Sequence, residues 1–253
     1  MRGLSKEDNM SALLKVINLE KNGILKGISF EMESGEMIAV MGPSGSGKST
    51  LLYNVSGMDQ ADGGEVWIGD TEIVGLSEDD KADIRLNRMG FVFQQMNMLS
   101  NLNIIDNIAF PAVRADKKDR KEHYARAQRL LDEFHIGDLS ERRVKEVSGG
   151  QLQRACICRS MIMKPQIIFA DEPTGALNRT AAGEVMDAFL GINSEGATIM
   201  MVTHDSWIAS MCERILYILD GEIRGELKLG KSKSKNDKER EQKVVRWLES
   251  MGW

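Results

Sequence analysis

A glycine-rich segment between two apolar stretches offers the clearest chemistry in the sequence. Residues 42–49 read Gly-Pro-Ser-Gly-Ser-Gly-Lys-Ser and match the pattern G-x-x-x-x-G-K-[ST]. In such a loop, glycines free backbone N–H groups to wrap phosphate oxygens at a helix N-terminus, where the helix dipole favours negative charge. We predict that Lys48 reaches the β and γ phosphates, Ser49 ligates Mg²⁺ and Thr50 bonds a phosphate oxygen. The predicted nucleotide contacts are Gly42, Pro43, Ser44, Gly45, Ser46, Gly47, Lys48, Ser49 and Thr50.

Two adjacent acids follow a second apolar run. Residues 167–170 read Ile-Ile-Phe-Ala and predict a buried strand, after which come Asp171 and Glu172. Ligands of open α/β sheets bind at the carboxyl ends of the strands, so these acids should lie beside the phosphate loop. We predict that Asp171 holds Mg²⁺ through water and that Glu172 is the general base for an attacking water. The alternative is that both acids only cap the helix after Pro173.

A Ser-Gly-Gly-Gln segment at residues 148–151 is expected to open a helix. Ser148, followed three residues later by Gln151, has the pattern of a capping box. A helix N-terminus also carries N–H groups that have no partner within the helix, and these suit an anion. The residue types are compatible with both roles at once.

Hydrophobic periodicity predicts the elements that position these segments. The predicted strands are residues 12–19, 28–32, 36–41, 66–68, 167–170 and 198–202. The first two form an antiparallel pair, and the third runs directly into the glycine-rich loop. The last two are separated by a helix around residues 184–190, an alternation typical of a parallel sheet. Residues 214–227 predict a hairpin that turns at Asp220-Gly221.

The middle of the chain, from about residue 97 to residue 163, is predicted to be a helical subdomain. Five residues recur on one face of a helix there: Tyr124, Ala127, Leu130, Leu131 and Phe134. Asp116 is the expected N-cap of this helix, and Ser77 is the expected N-cap of an earlier one. Near the C-terminus, residues 229–243 are polar and basic and predict a solvated linker. Residues 244–253 predict a short amphipathic helix.

Composition limits the classes of partner. The chain has 33 Lys and Arg against 38 Asp and Glu, a net charge of −5, so we expect no nucleic-acid partner. The longest apolar runs, such as residues 37–41, are far shorter than the ~20 residues of a membrane-spanning helix. Glu7, Asp8 and Asn9 stand where a signal peptide needs an apolar core, so a cytoplasmic protein is expected.

Taken together and in order, the motifs resemble the nucleotide-binding domain of ABC (ATP-binding cassette) transporters. The resemblance lies in residues 147–154, 171–175 and 203–205 and extends over about residues 12–228. It implies an α/β P-loop NTPase fold with a parallel core sheet, an N-terminal antiparallel β-subdomain and an inserted helical subdomain. It also implies an ATP hydrolase that uses ATP and Mg²⁺.

The resemblance further implies roles for residues outside the phosphate loop. Gln94 resembles the glutamine that senses Mg²⁺ and the attacking water, and His204 resembles the histidine that bonds the γ-phosphate and orients the water. In the family, two copies form a sandwich around ATP, and the signature segment of one copy meets the nucleotide of the other. The residues that the resemblance places in this role are Ser148, Gly149, Gly150 and Gln151.

Finer features resemble one group within the family. Residues 90–95 and 169–175 resemble the lipoprotein-releasing, macrolide-exporting and antimicrobial-peptide-resistance group, and the Ala-Leu-Asn ending at residues 176–178 most resembles bacitracin-type resistance ATPases. This implies an integral membrane permease as partner, a place at the cytoplasmic face of the membrane, and no direct contact with the transported substrate. The alternatives are a lipoprotein-releasing or macrolide-export ATPase, and a non-transporting divisome-type ATPase that regulates a membrane partner.

Overall fold

The computed structural model describes residues 12–232 and 237–253, so the expectations for residues 7–9 and for part of the predicted linker lie outside the described residues. The strands are β1 (Leu14–Lys21), β2 (Leu25–Met32), β3 (Met37–Met41), β4 (Gly63–Ile68), β5 (Thr71–Glu72), β6 (Met89–Phe93), β7 (Ile167–Asp171), β8 (Thr198–Val202), β9 (Arg214–Leu219) and β10 (Glu222–Lys228). The helices are α1 (Lys48–Val55), α2 (Glu78–Arg88), α3 (Ile104–Ala115), α4 (Arg120–Glu133), α5 (Gly149–Met161), α6 (Arg179–Ser194), α7 (Ser206–Ala209) and α8 (Lys238–Ser250).

The central sheet has six strands in the order β10-β9-β3-β8-β7-β6. Every pair is parallel except β9 with β10, which form the predicted hairpin. Alternate residues of β3 enter two different cores: Met37, Ala39 and Met41 face one, and Ile38 and Val40 face the other. A strand that is buried on both faces needs an uninterrupted apolar sequence, which explains the short apolar runs. The predicted parallel sheet is therefore confirmed.

The second sheet is antiparallel and has four strands in the order β2-β1-β4-β5. It contains the predicted N-terminal strand pair, in which Leu14 lies opposite Met32. Leu14 and Met32 are fully buried in the same core as Ile38 and Val40 of β3. This sheet therefore packs on the face of the central sheet that carries the side chains of Ile38 and Val40.

Residues 97–163 contain α3, α4, α5 and two short 3-10 helices at Gly137–Leu139 and Val144–Glu146. The predicted cap of α4 is wrong: the helix begins at Arg120 after Asp119, and Asp116 instead ends α3. Asp116 Oδ1 accepts a hydrogen bond from Lys118 N (2.8 Å), so the side chain supports the turn between the helices. Ser77 caps α2 as predicted, accepting from Asp80 N.

The C-terminal helix α8 begins at Lys238, six residues before the predicted start. Arg240, placed in the predicted solvated linker, instead donates hydrogen bonds to four backbone carbonyls of the folded chain. Val244 and Leu248 are buried in the larger core, and Tyr217 of β9 lies edge-on to Trp247 at 6.2 Å between ring centres. The polar composition predicted a linker that was too long, because the basic side chain of Arg240 anchors the start of α8 to the folded chain through its guanidinium group.

Among the described residues, no helix combines the length and the apolar character that crossing a bilayer would require.

Candidate nucleotide-binding and catalytic site

The phosphate loop leaves the carboxyl end of β3 in the middle of the central sheet and enters α1. Gly42 has φ 154°, and a Cβ at this position would lie 2.1 Å from Ile218 O of β9, so only glycine allows the loop to leave the sheet here. Gly47 has φ 101° and is the N-cap of α1. Pro43, Ser44 and Gly45 form the exposed tip of the loop. The N-terminus of α1 therefore opens toward a space that this loop surrounds.

Two polar groups in the loop are arranged for an anion. Ser46 is 5% exposed, and its Oγ has no hydrogen-bond partner among the described residues. Lys48 Nζ donates to Pro43 O (2.8 Å) and so curls back over the loop. Burial lowers the pKa of Lys48, although the carboxylates of Glu172 and Asp171 act in the opposite direction. A buried hydroxyl without a partner and a desolvated ammonium group both fit phosphate oxygens.

Asp171 lies at the carboxyl end of β7, and both of its carboxylate oxygens accept hydrogen bonds from side chains of α1. Ser49 Oγ donates to Asp171 Oδ1 (2.9 Å), and Tyr53 Oη donates to Asp171 Oδ2 (2.7 Å). Ser49 and Tyr53 are four residues apart, so they lie on one face of α1. A hydroxyl and a carboxylate oxygen side by side suit Mg²⁺, which prefers oxygen ligands, and these residues therefore fit the predicted ion. Thr50 lies half-buried beside them in the first turn of α1.

Tyr53 is a site residue that the sequence analysis missed. Burial and the hydrogen bond to Asp171 raise the pKa of its phenol to about 12, so the phenol remains a neutral donor throughout the neutral pH range. The available signal was its position one helical turn after Ser49. Its partner, however, lies 118 residues away in the sequence.

Replacing Tyr53 with phenylalanine should raise the Mg²⁺ concentration needed for half-maximal turnover by about three- to tenfold, because Asp171 loses a charge-assisted hydrogen bond. ATP binding measured calorimetrically without Mg²⁺ should not change. Because the phenol pKa is about 12, the shift should be the same from about pH 6 to pH 9. Tyr124→Phe is the matched control, since Tyr124 donates to Asp106 away from this site. An equal Mg²⁺ shift in both variants would contradict the role assigned to Tyr53.

Glu172, His204 and Gln94 converge next to Asp171. His204 Nδ1 lies 3.3 Å from Glu172 Oε1. Glu172 has φ 45°, a left-handed conformation that costs a non-glycine residue about 1 kcal/mol or more. A Cβ on Gly175 would lie 2.9 Å from Gln94 Nε2 and 3.2 Å from Glu172 Oε2, so both side chains approach this glycine. The three predicted catalytic residues therefore lie together beside the carboxylate predicted to hold the metal ion.

The signature segment forms a different surface. Ser148 Oγ accepts from Gln151 N (3.3 Å) and Gln151 Oε1 accepts from Ser148 N (2.9 Å), so the predicted capping box is present. Ser148 and Gly149 are exposed, and a Cβ on the buried Gly150 would lie 3.0 Å from Ala181 of α6. The groove here has a volume of about 360 Å³. None of the described residues that line it belongs to the phosphate loop.

Comparison with known proteins gives a consistent result. The family model described as ABC transporter matches residues 25–175. The bacitracin export ATP-binding protein BceA of Halalkalibacterium halodurans is 40% identical over 213 residues, which cover 84% of each chain. The macrolide export ATP-binding/permease protein MacB of Aggregatibacter actinomycetemcomitans is 42% identical over 200 residues, or 79% of this chain. The chain spans only 31% of the length of that relative.

A solved structure is similar to this chain in both fold and sequence. It is a dimeric post-hydrolysis state of the ATP-binding cassette MJ0796 bound to ADP and Pi, 34% identical, with a TM-score of 0.77 over 85% of this chain and 98% of that one. The predicted fold and the predicted group of relatives are thus confirmed. The chain belongs to the ABC transporter family and is one of its ATP-binding ATPase cassettes.

Proposed function

We propose that this chain hydrolyses Mg·ATP in a sandwich of two copies and thereby drives an integral membrane permease. One observation carries the proposal. Ser49, Asp171, Glu172 and His204 lie together, whereas Ser148 stands exposed at a groove that contains no described residue of the phosphate loop. In a two-copy site, the catalytic centre of one copy meets the anion-binding helix terminus of the other. The two features must therefore lie on different surfaces of the same chain. The dimeric MJ0796 cassette supports this proposal.

In this proposal, each group of site residues in the chain has its own role in hydrolysis. Lys48 and the backbone N–H groups of residues 44–50 hold and orient the phosphates. Ser49, Asp171 and Gln94 would hold Mg²⁺, which when bound neutralises charge on the transferred phosphoryl group. Glu172 takes a proton from the attacking water, and His204 bonds the γ-phosphate. The N–H groups at Ser148–Gln151 approach the γ-phosphate held by the second copy.

The proposed organisation has three parts. Residues 12–228 form the nucleotide-binding domain, and residues 97–163 within it form the helical subdomain. The second part is the linker, which the start of α8 at Lys238 shortens from residues 229–243 to residues 229–237. The third part is the C-terminal segment that contains α8. The helical subdomain contains no strand of the two sheets within the part of the chain described, which supports its treatment as an insertion.

The helical subdomain also offers a surface for the permease. Leu99 is 44% exposed and Phe110 is 50% exposed, although both are large apolar side chains. Leu99 follows Gln94 by five residues, so a protein bound here would touch the segment that leads into the catalytic centre. A cassette bound to its permease in this way lies at the cytoplasmic face of the membrane and needs no direct contact with the transported substrate.

The named relatives support export or resistance as the process driven. BceA, a bacitracin export protein by name, favours antimicrobial-peptide resistance. MacB, named for macrolide export, is a second candidate because its identity to this chain is similar. Identifying the membrane protein that co-purifies with the chain distinguishes these processes.

Turnover per chain should rise with chain concentration below the dissociation constant of the dimer and then level off. The physical reason is that an isolated copy lacks the N–H donors that residues 148–151 of a second copy supply. The measurement is phosphate release across a dilution series, with dimer formation followed by light scattering in the same samples. A total rate of phosphate release that stays proportional to chain concentration far below the range of dimerisation, and so a constant turnover per chain, would contradict the two-copy site.

A further inference from the structure

Two loops of the catalytic site lead directly into capped helices. Asn178 ends the loop that begins at Glu172, and its side-chain oxygen accepts a hydrogen bond of 2.9 Å from a backbone N–H in the first turn of α6. Asp205 follows His204, and its carboxylate accepts a hydrogen bond of 2.8 Å from Trp207 N of α7. Each loop is thus tied to the start of its helix. The relative position of α6 and α7 therefore influences the relative position of Glu172 and His204.

Arg179 joins these two helices. Its guanidinium carbon lies 3.9 Å from the centre of the Trp207 ring, well within the ~6 Å range of a cation–π contact. Trp207 is 6% exposed and belongs to the larger core, so its ring is held firmly. Arg179 comes directly after Asn178, and Trp207 comes three residues after His204. The contact therefore links the ends of the two catalytic loops.

The C-terminal helix α8 reaches the same place. Glu241 Oε1 lies 3.8 Å from Arg179 Nη2. The preceding residue of α8, Arg240, donates to the carbonyls of four residues, and two of them lie just after α7. The four are Ser210, Cys212, Leu229 and Gly230. Helix α8 thus contacts both Arg179 and the segment that follows α7.

We propose that Arg179, stacked on Trp207 and approached by Glu241, is a positioning residue that keeps His204 in place relative to Glu172. The inference rests on the proposed hydrolysis of ATP at this site. His204 Nδ1 lies 3.3 Å from Glu172 Oε1, yet 61% of the His204 side chain is exposed. Its own packing is therefore insufficient to fix this distance, and the orientation depends on the helix that follows it.

The first test compares Arg179→Ala with Arg129→Ala, which removes an exposed arginine of α4. We expect Arg179→Ala to lower kcat about three- to tenfold and to change KM for ATP by less than about twofold, because the contact orients a loop and does not bind nucleotide. Arg179→Lys should give an intermediate kcat, since lysine keeps the charge but lacks the planar group. An unchanged kcat in Arg179→Ala, with an active wild type, would overturn the inference.

The second test uses helix α8. Glu241→Gln should lower kcat by about twofold, because the ion pair at this partly exposed site is weak. Glu239→Gln, on the same helix and exposed, should leave kcat unchanged. Equal kcat values for the two variants would remove α8 from the proposed arrangement.

Two further readouts separate positioning from general stability. In a His204→Ala background, adding Arg179→Ala should change the residual turnover by less than about twofold, because a residue that acts through His204 has nothing left to act on. An undiminished effect in that background would overturn the inference.

Hydrogen exchange tests the contact without any hydrolysis. In nucleotide-free protein, amides of residues 203–210 should exchange faster in Arg179→Ala than in the wild type, because α7 loses a contact. Unchanged exchange would overturn the inference whether or not the wild type hydrolyses ATP. A wild type without turnover would overturn the proposed function, and the exchange result would still decide whether Arg179 holds α7.

Discussion

Replacing Glu172 with glutamine should lower ATP turnover by ~10²–10⁴, or about 3–5 kcal/mol of barrier, while ATP binding persists. The amide has nearly the size of the carboxylate but cannot accept the proton of the attacking water. Lys48, Ser49 and Asp171 do not depend on Glu172 for their hydrogen bonds, so the phosphate and metal contacts should remain. With hydrolysis blocked, the ATP-bound dimer should accumulate.

The measurement combines single-turnover hydrolysis with gel filtration in the presence of ATP. Glu195→Gln is a suitable control because this acid is exposed at the C-terminal end of α6. It should behave as the wild type in both assays. If Glu172→Gln retained turnover within about tenfold of the wild type, Glu172 would have only a structural role at the start of its loop.

The parts of the site that could be predicted from sequence are those in which local order decides geometry. The phosphate loop joins a buried strand directly to a helix, so the position of Lys48 follows from neighbouring residues. Asp171 ends β7 and Glu172 follows it directly. Because β7 is parallel to β8, and β8 is parallel to β3, the carboxyl ends of these strands bring both acids to the edge of the sheet from which the phosphate loop leaves β3. No knowledge of side-chain packing was needed for either prediction.

The contacts that escaped prediction depend on packing between distant segments. Tyr53 meets Asp171 because of how α1 lies against β7, and a tyrosine in a helix gives no hint of that partner. Arg240 has a charged side chain in a basic stretch, a composition typical of a solvated segment. Its four carbonyl partners come from the ends of α7 and β10, and their convergence is a property of the tertiary structure.

The cap of α4 illustrates a third limit. Asp116 and Asp119 are chemically identical and only three residues apart, so capping preference does not choose between them. The structure starts α4 after Asp119 because α3 extends to Ala115, and the turn between them occupies the intervening residues. Helix boundaries of this kind are set by the length of the preceding helix and by the core that both helices share.

The variant Ser148→Arg should abolish the ATP-dependent dimer and lower turnover by ~10² or more. The long side chain would occupy the exposed N-terminus of α5, where the positive charge opposes the helix dipole by about 0.3–1 kcal/mol. Most of the loss is therefore steric, because the N–H donors at this terminus no longer reach the nucleotide of the second copy. Removing one such donor in other enzymes costs ~10²–10³ in turnover. Ser34→Arg, at an exposed turn, is the control of equal size and charge.

Mixing variants tests whether the signature segment acts on the second copy. In a mixed dimer of Ser148→Arg with Lys48→Ala, one site combines both damaged segments, and the other combines two intact ones. With random pairing of the two variants, half of all pairs are mixed and each mixed pair has one intact site, so equal mixing should restore about a quarter of wild-type turnover. Failure of Ser148→Arg to pair with itself leaves more of its copies free for mixed dimers, in which the damaged signature faces a phosphate loop without Lys48. If the signature served its own copy, both sites of the mixed dimer would be damaged, and turnover would not recover. Differently tagged copies, isolated through both tags, establish that mixed dimers form, so that an absence of recovery in that fraction would contradict the two-copy site.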